Sequence, residues 1–108
     1  MKRFAVLMVL LGLALTICLA SFAADAKKGS EIYAKNGCKT CHAIAGAGNP
    51  KHPLDGVGAS LTAELLAKWI RTPKEMNPKA TMTSFPIAKI ADTDLADLVA
   101  YLLTLKKP

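Results

Sequence analysis

The sequence predicts an all-α domain spanning residues 24–108, behind a separate apolar N-terminal segment. Three stretches carry apolar residues at the 3.6-residue period of a helix, and none shows the strict alternation of a half-buried strand. Two long connections separate these stretches, one rich in Gly and Pro, the other carrying Pro73, Pro78 and Pro86 among Thr, Ser and Asn. At 108 residues the chain has room for one domain.

The first helix is expected over about Asp25 to Asn36. Asp25 can accept the first free backbone N–H groups, and Gly37 supplies a left-handed stop. Gly29, Ile32 and Tyr33 share one face at i, i+3 and i+4. A glycine inside a helix costs about 1 kcal/mol against alanine, so Gly29 implies that another backbone approaches closely there. The second helix is expected over about Thr62 to Arg71. Thr62 is its cap, Glu64 suits the positive end of the dipole, and Leu65, Leu66, Trp69 and Ile70 form the apolar stripe. It stops near Thr72 because a residue before proline is pushed out of the helical region. The third is expected over about Asp92 to Lys107, with Leu95, Leu98, Val99, Leu102 and Leu103 on one face. Asp92 and Asp94 at its start, with Lys106 and Lys107 at its end, match the helix dipole.

The connections Ala43 to Leu61 and Pro73 to Ile90 are long for so small a domain, and loops of that length usually serve a site. No internal repeat or low-complexity tract is evident.

The N-terminus reads as a secretory signal peptide over residues 1–23. Met1-Lys2-Arg3 is the positive start, Phe4 to Ala20 the apolar run, and Ser21-Phe22-Ala23 the small-residue cleavage site. Two other readings exist. Residues 4–20 could remain as a membrane anchor, although their seventeen positions fall short of the roughly 20 that span a bilayer. Cys18 could be an acylated cysteine, but bulky Ile17 stands where a small residue is normal. After cleavage the chain keeps twelve Lys and Arg against eight carboxylates, a net charge of +4. No aromatic-basic interleaving accompanies that charge, which argues against nucleic acid as a partner.

Cys38-Lys39-Thr40-Cys41-His42 is the strongest local signal. A C-x-x-C-H run reads as covalent haem attachment: two thiols for the two vinyl groups, and the next histidine as a ligand to the iron. A thioredoxin-like pair needs a βαβ setting that the pattern lacks. A zinc site needs a second Cys or His pair, and only His52 follows. A disulfide across two residues would contribute little. One haem c is therefore the expected cofactor, and it would supply apolar core that 85 residues lack.

Beyond that run the mature chain resembles the class I c-type cytochromes, the monohaem cytochrome c family of bacteria. Lys28-Gly29 with Tyr33 is similar to that family's N-terminal helix. Leu98 and Tyr101 are similar to the residues its C-terminal helix packs there, Gly29 allowing the close crossing. Pro53-Leu54-Asp55-Gly56-Val57-Gly58 resembles the loop in which a proline carbonyl accepts the haem histidine's ring N–H. Leu66 to Ile70 and Arg71-Thr72-Pro73-Lys74 resemble the helix and turn before the distal loop. The resemblance thus implies a cytochrome c fold, with first and last helices crossing around one covalently bound haem.

It also implies a methionine as second axial ligand, and Met82-Thr83-Ser84-Phe85 stands in that place. Thr83 occupies the position where the family commonly carries proline. Met76 and His52 are the alternative ligands, and an open iron is a further one. Met76 reads otherwise as a core gap-filler, and His52 as a solvated side chain. Trp69 is first a core residue, and by resemblance its N–H reaches a haem propionate. The site residues expected are thus Cys38, Cys41, His42, Met82, Pro53 and Trp69, with His42 and Met82 on the metal.

The function expected is that of a soluble, monomeric, periplasmic one-electron carrier, with no catalytic base, nucleophile or substrate pocket and no stable membrane insertion after cleavage. Lys39 and Lys79 could form a positive rim for redox partners with acidic docking surfaces. Two alternatives remain: a cytochrome subunit bound permanently to a larger oxidoreductase or anchored by residues 4–20, and a haem sensor or enzyme with a vacant sixth site.

Overall fold

A computed structural model describes residues 23–108. The expected signal peptide, with the alternatives at Cys18 and residues 4–20, lies outside the described residues apart from Ala23. No helix among the described residues is long and apolar enough to cross a membrane.

Helix α1 spans Ala26–Lys35. Asp25 caps it, its side chain accepting from the backbone N–H of Lys27 and Lys28, and Gly37 stands after it at φ +67°. A 3-10 turn at Cys38–Thr40 leads into β1 (His42–Ile44), β2 (Ala47–Gly48) and β3 (His52–Pro53). Next come α2 (Val57–Ser60), α3 (Ala63–Arg71), α4 (Pro73–Met76) and α5 (Asp92–Leu103). Thr62 caps α3 as expected, its hydroxyl accepting from Leu65 N–H at 3.3 Å.

The domain is therefore not purely helical. The strands form a small sheet in the order β2-β1-β3, with β1 antiparallel to β2 and parallel to β3. Strands of two or three residues are too short to display a period of two, and they arise where the connection bonds its own backbone. The one-turn helices α2 and α4 escape the periodicity argument for the same reason, and Pro73 opens α4 with its fixed φ. The last helix ends at Leu103 rather than Lys107. Thr104 turns its hydroxyl onto the Tyr101 carbonyl at 2.6 Å, and Lys106 Nζ crosses to the Gly58 carbonyl at 3.0 Å.

The core joins Ile32 of α1, Leu66 and Ile70 of α3, and Leu95, Leu98 and Leu102 of α5. The stripe of α3 is narrower than expected, for Leu65 is exposed. Each helical residue turns by about 100°, so Leu65 falls to one side of a face centred on Leu66 and Ile70. α1 and α5 pack directly: a Cβ on Gly29 would overlap the Asp97 carbonyl. Asp97, buried at 9% exposure, also accepts from Asp25 N–H at 2.8 Å. These contacts leave α3, α5 and the segment Pro53 to Leu61 as walls around a space that no side chain fills.

Candidate functional site

The motif sits where helix gives way to sheet. Gly37 breaks α1 in the left-handed region, Thr40 N–H returns to the Gly37 carbonyl at 3.0 Å, and Cys41 N–H to that of Cys38 at 3.2 Å. One tight turn therefore separates the two thiols. Cys38 lines an apolar cavity of about 220 Å³, and Cys41 lines an adjoining, more polar cleft of about 600 Å³. His42 begins β1 and borders both spaces.

The imidazole of His42 is fixed by a neighbouring strand. Its Nδ1 lies 2.8 Å from the carbonyl oxygen of His52. A carbonyl can only accept, so Nδ1 carries the proton, and Nε2 keeps its lone pair for a metal. The acceptor is not the carbonyl of Pro53, to which the resemblance pointed. Parallel pairing sets His42 against His52 and Ala43 against Pro53, and Leu54 N–H is spent on the Ala43 carbonyl at 2.8 Å. The strand register moves the acceptor one residue upstream.

Asn49 completes the support and had no sequence signal. Its side-chain amide donates to the Thr40 carbonyl at 3.0 Å, and its backbone N–H to those of Lys39 and His42 at 3.1 and 3.0 Å. Gly48 makes that approach possible, since a Cβ there would overlap the His42 carbonyl. Only neighbours in the fold reveal either role.

The apolar cavity is walled by side chains that include Leu54, Leu66, Leu98 and Tyr33. Trp69 and Met82 lie, like His42, on the walls of both spaces. Met76 lies on neither. The ring of His52 stands 6.3 Å from that of His42, centroid to centroid, within the polar cleft. Lys51 and Lys79 are exposed at the cleft.

Burial pushes the Cys38 thiol up from its ordinary value of 9.0, with Cys41 adding in the same direction. That direction is opposite to the depressed thiol of an activated redox cysteine. Among the described residues no three His, Cys, Asp or Glu side chains gather to hold a bare metal ion. Tyr33 lines the apolar cavity, and its hydroxyl is buried with no hydrogen-bond partner among the described residues. An unspent donor, two adjacent thiols, an oriented imidazole and a thioether around an apolar space fit a large, mostly apolar group bearing its own iron.

Comparison with known proteins agrees. The profile described as "Cytochrome c" matches residues 26–106. A curated relative, cytochrome c oxidase subunit 2 of Alkalihalophilus pseudofirmus, is 29% identical over 90 residues, which is 75% of this chain and 26% of that protein. The chain thus spans about a quarter of the length of that relative. No solved structure matches. With the motif turn, the oriented histidine and a family match running from α1 past α5, this chain belongs to the cytochrome c family, whose work is haem binding and electron transfer.

Proposed function

We propose that this chain is an exported, periplasmic, monohaem one-electron carrier. One haem c would be held through thioethers to Cys38 and Cys41, and His42 Nε2 and Met82 Sδ would hold its iron. The observation that carries this reading is the placement of His42 and Met82 on the walls of the same two spaces. Bound there, the haem supplies an iron that alternates between ferric and ferrous states.

The chain's residues do the rest. The His52 carbonyl holds His42 in the metal-binding tautomer. Leu66, Leu98 and their neighbours exclude water, which limits reorganisation when charge changes. A thioether from Met82 favours the ferrous state, and a second histidine would favour the ferric. His52 is poorly placed for that role: directly paired residues on adjacent strands project to the same side, so its ring lies on the same side as that of His42. Met76, the last residue of α4, lines neither space. With both axial positions held by side chains, no acid, base or nucleophile is required, and the protein carries electrons without transforming a substrate.

Lys51 and Lys79 at the cleft, Lys39 in the motif, and the net charge of +4 after residue 23 support docking on acidic partners. A second reading follows from the relative: a cytochrome domain held within a larger oxidoreductase. Sedimentation and native mass of the protein released from the periplasm separate the two. A free carrier runs as a monomer of the cleaved chain plus one haem, and a stable complex contradicts it. Carbon monoxide binding by the reduced protein tests the closed coordination, since tight binding would mean an open sixth site.

A further inference from the structure

Arg71 is the last residue of α3, and its side chain is only 18% exposed. One guanidinium nitrogen donates to the Phe85 carbonyl at 2.9 Å and also to the Ile90 carbonyl; the other donates to Asp92 Oδ1 at 2.8 Å. Beside it, Phe85 N–H donates to the Ile70 carbonyl at 3.0 Å. One side chain thus gathers three acceptors spread over residues 85–92. Upstream, the nearest backbone tie is Ala80 N–H to the Asn77 carbonyl at 2.9 Å. Among the described residues the stretch carrying Met82 has only this local turn upstream, while downstream it is tied to α3 by Phe85 N–H and by the Arg71 side chain.

We propose that Arg71 is a positioning residue for the second axial ligand, clasping the chain at Phe85 and Ile90 so that Met82 stays on the cavity wall. The inference rests on the reading of Met82 as that ligand. A guanidinium suits the task because its planar fork reaches several acceptors at once, which a lysine ammonium on a flexible stem does not. Removing it leaves the carbonyl of buried Ile90 without that partner, at the end of the segment that must not move. Asp92 is the dispensable member, since its side chain is 79% exposed and the two carbonyl bonds do not need it.

Imidazole titration of the ferric holoprotein reads how readily Met82 yields its place, and the near-infrared sulfur-to-iron band reports when it has. Arg71→Lys and Arg71→Met should bind imidazole about tenfold tighter or more, the factor that loss of about 1.4 kcal/mol gives. Asp92→Asn should stay within about twofold of the parent. Lys106→Met removes the distant bond to Gly58 and is the control: it should lower thermal stability without changing imidazole affinity. Should Arg71→Met fail to fold, Arg71→Lys carries the test. Parental affinity in the folded Arg71 variants, or an equal gain in Lys106→Met, would overturn the proposal. Met82→Ala is the separate arm for the underlying reading. A parent protein without the band, or a Met82→Ala protein that keeps it, refutes the ligand and not merely the clasp.

Discussion

Gly29 and the carbonyl of Asp97 touch so closely that a Cβ on Gly29 would overlap the oxygen and stand 2.7 Å from Tyr101 Cβ. This contact sets the spacing of α1 and α5, and with it the position of the motif that follows α1. Two effects oppose each other in Gly29→Ala. Alanine favours an isolated helix by about 1 kcal/mol. Overpacking against a backbone that must shift costs about 1–3 kcal/mol, at times more. The clash wins, so we expect a net loss of about 2 kcal/mol, read as a lower urea midpoint at unchanged slope. A neutral or stabilising result would mean that the helices separate freely.

Tyr33 has a pH signature. Burial, first of all, pushes its phenol above the ordinary 10.0. Between the unfolded and folded values the native state keeps a proton that the unfolded chain has lost. Stability therefore falls as pH rises above about 10, and below that the group contributes no slope. Tyr33→Phe should flatten this alkaline limb. At neutral pH it should change stability by no more than about 1 kcal/mol, because the hydroxyl has no partner among the described residues. A loss beyond about 2 kcal/mol would show that the holoprotein gives it one.

Exchange of the axial thioether should appear in the potential. Met82→His should lower the midpoint on the order of 0.1 V, within the roughly 0.8 V range that axial ligands span, and should abolish the near-infrared band. Met76→Leu should change neither, since Met76 lies on neither wall. The reverse pattern would exchange their roles.

Docking on an acidic partner predicts salt dependence. Between about 10 and 150 mM salt the screening length falls from roughly 30 to 8 Å, so the second-order electron-transfer rate should drop several-fold. Lys79→Glu should reduce the low-salt rate and flatten that dependence, while leaving the midpoint nearly unchanged. A rate indifferent to both would remove the charged rim from the account.

The caps of α1 and α3 were legible because Asp25 and Thr62 act through local rules, while the α3 stripe proved narrower than its period suggested, Leu65 being exposed. The close approach at Gly29 could be inferred from its cost inside a helix. The sheet could not, because strands of two and three residues leave no period. The same register explains the exchange of Pro53 for His52 as acceptor: which carbonyl faces His42 is decided by pairing, not by residue type. Arg71 and Asn49 were invisible for a related reason. Asn49 spends its side-chain donor on a backbone carbonyl and Arg71 two of its three bonds, and any residue offers a carbonyl, so no side-chain pattern marks those partners.

Intact mass under denaturing conditions, with a thiol assay on the same sample, tests the covalent site most directly. The account predicts residues 24–108 plus one haem that survives denaturation, with no free thiol at Cys38 or Cys41. A colourless polypeptide of unmodified mass with two titratable thiols would contradict it.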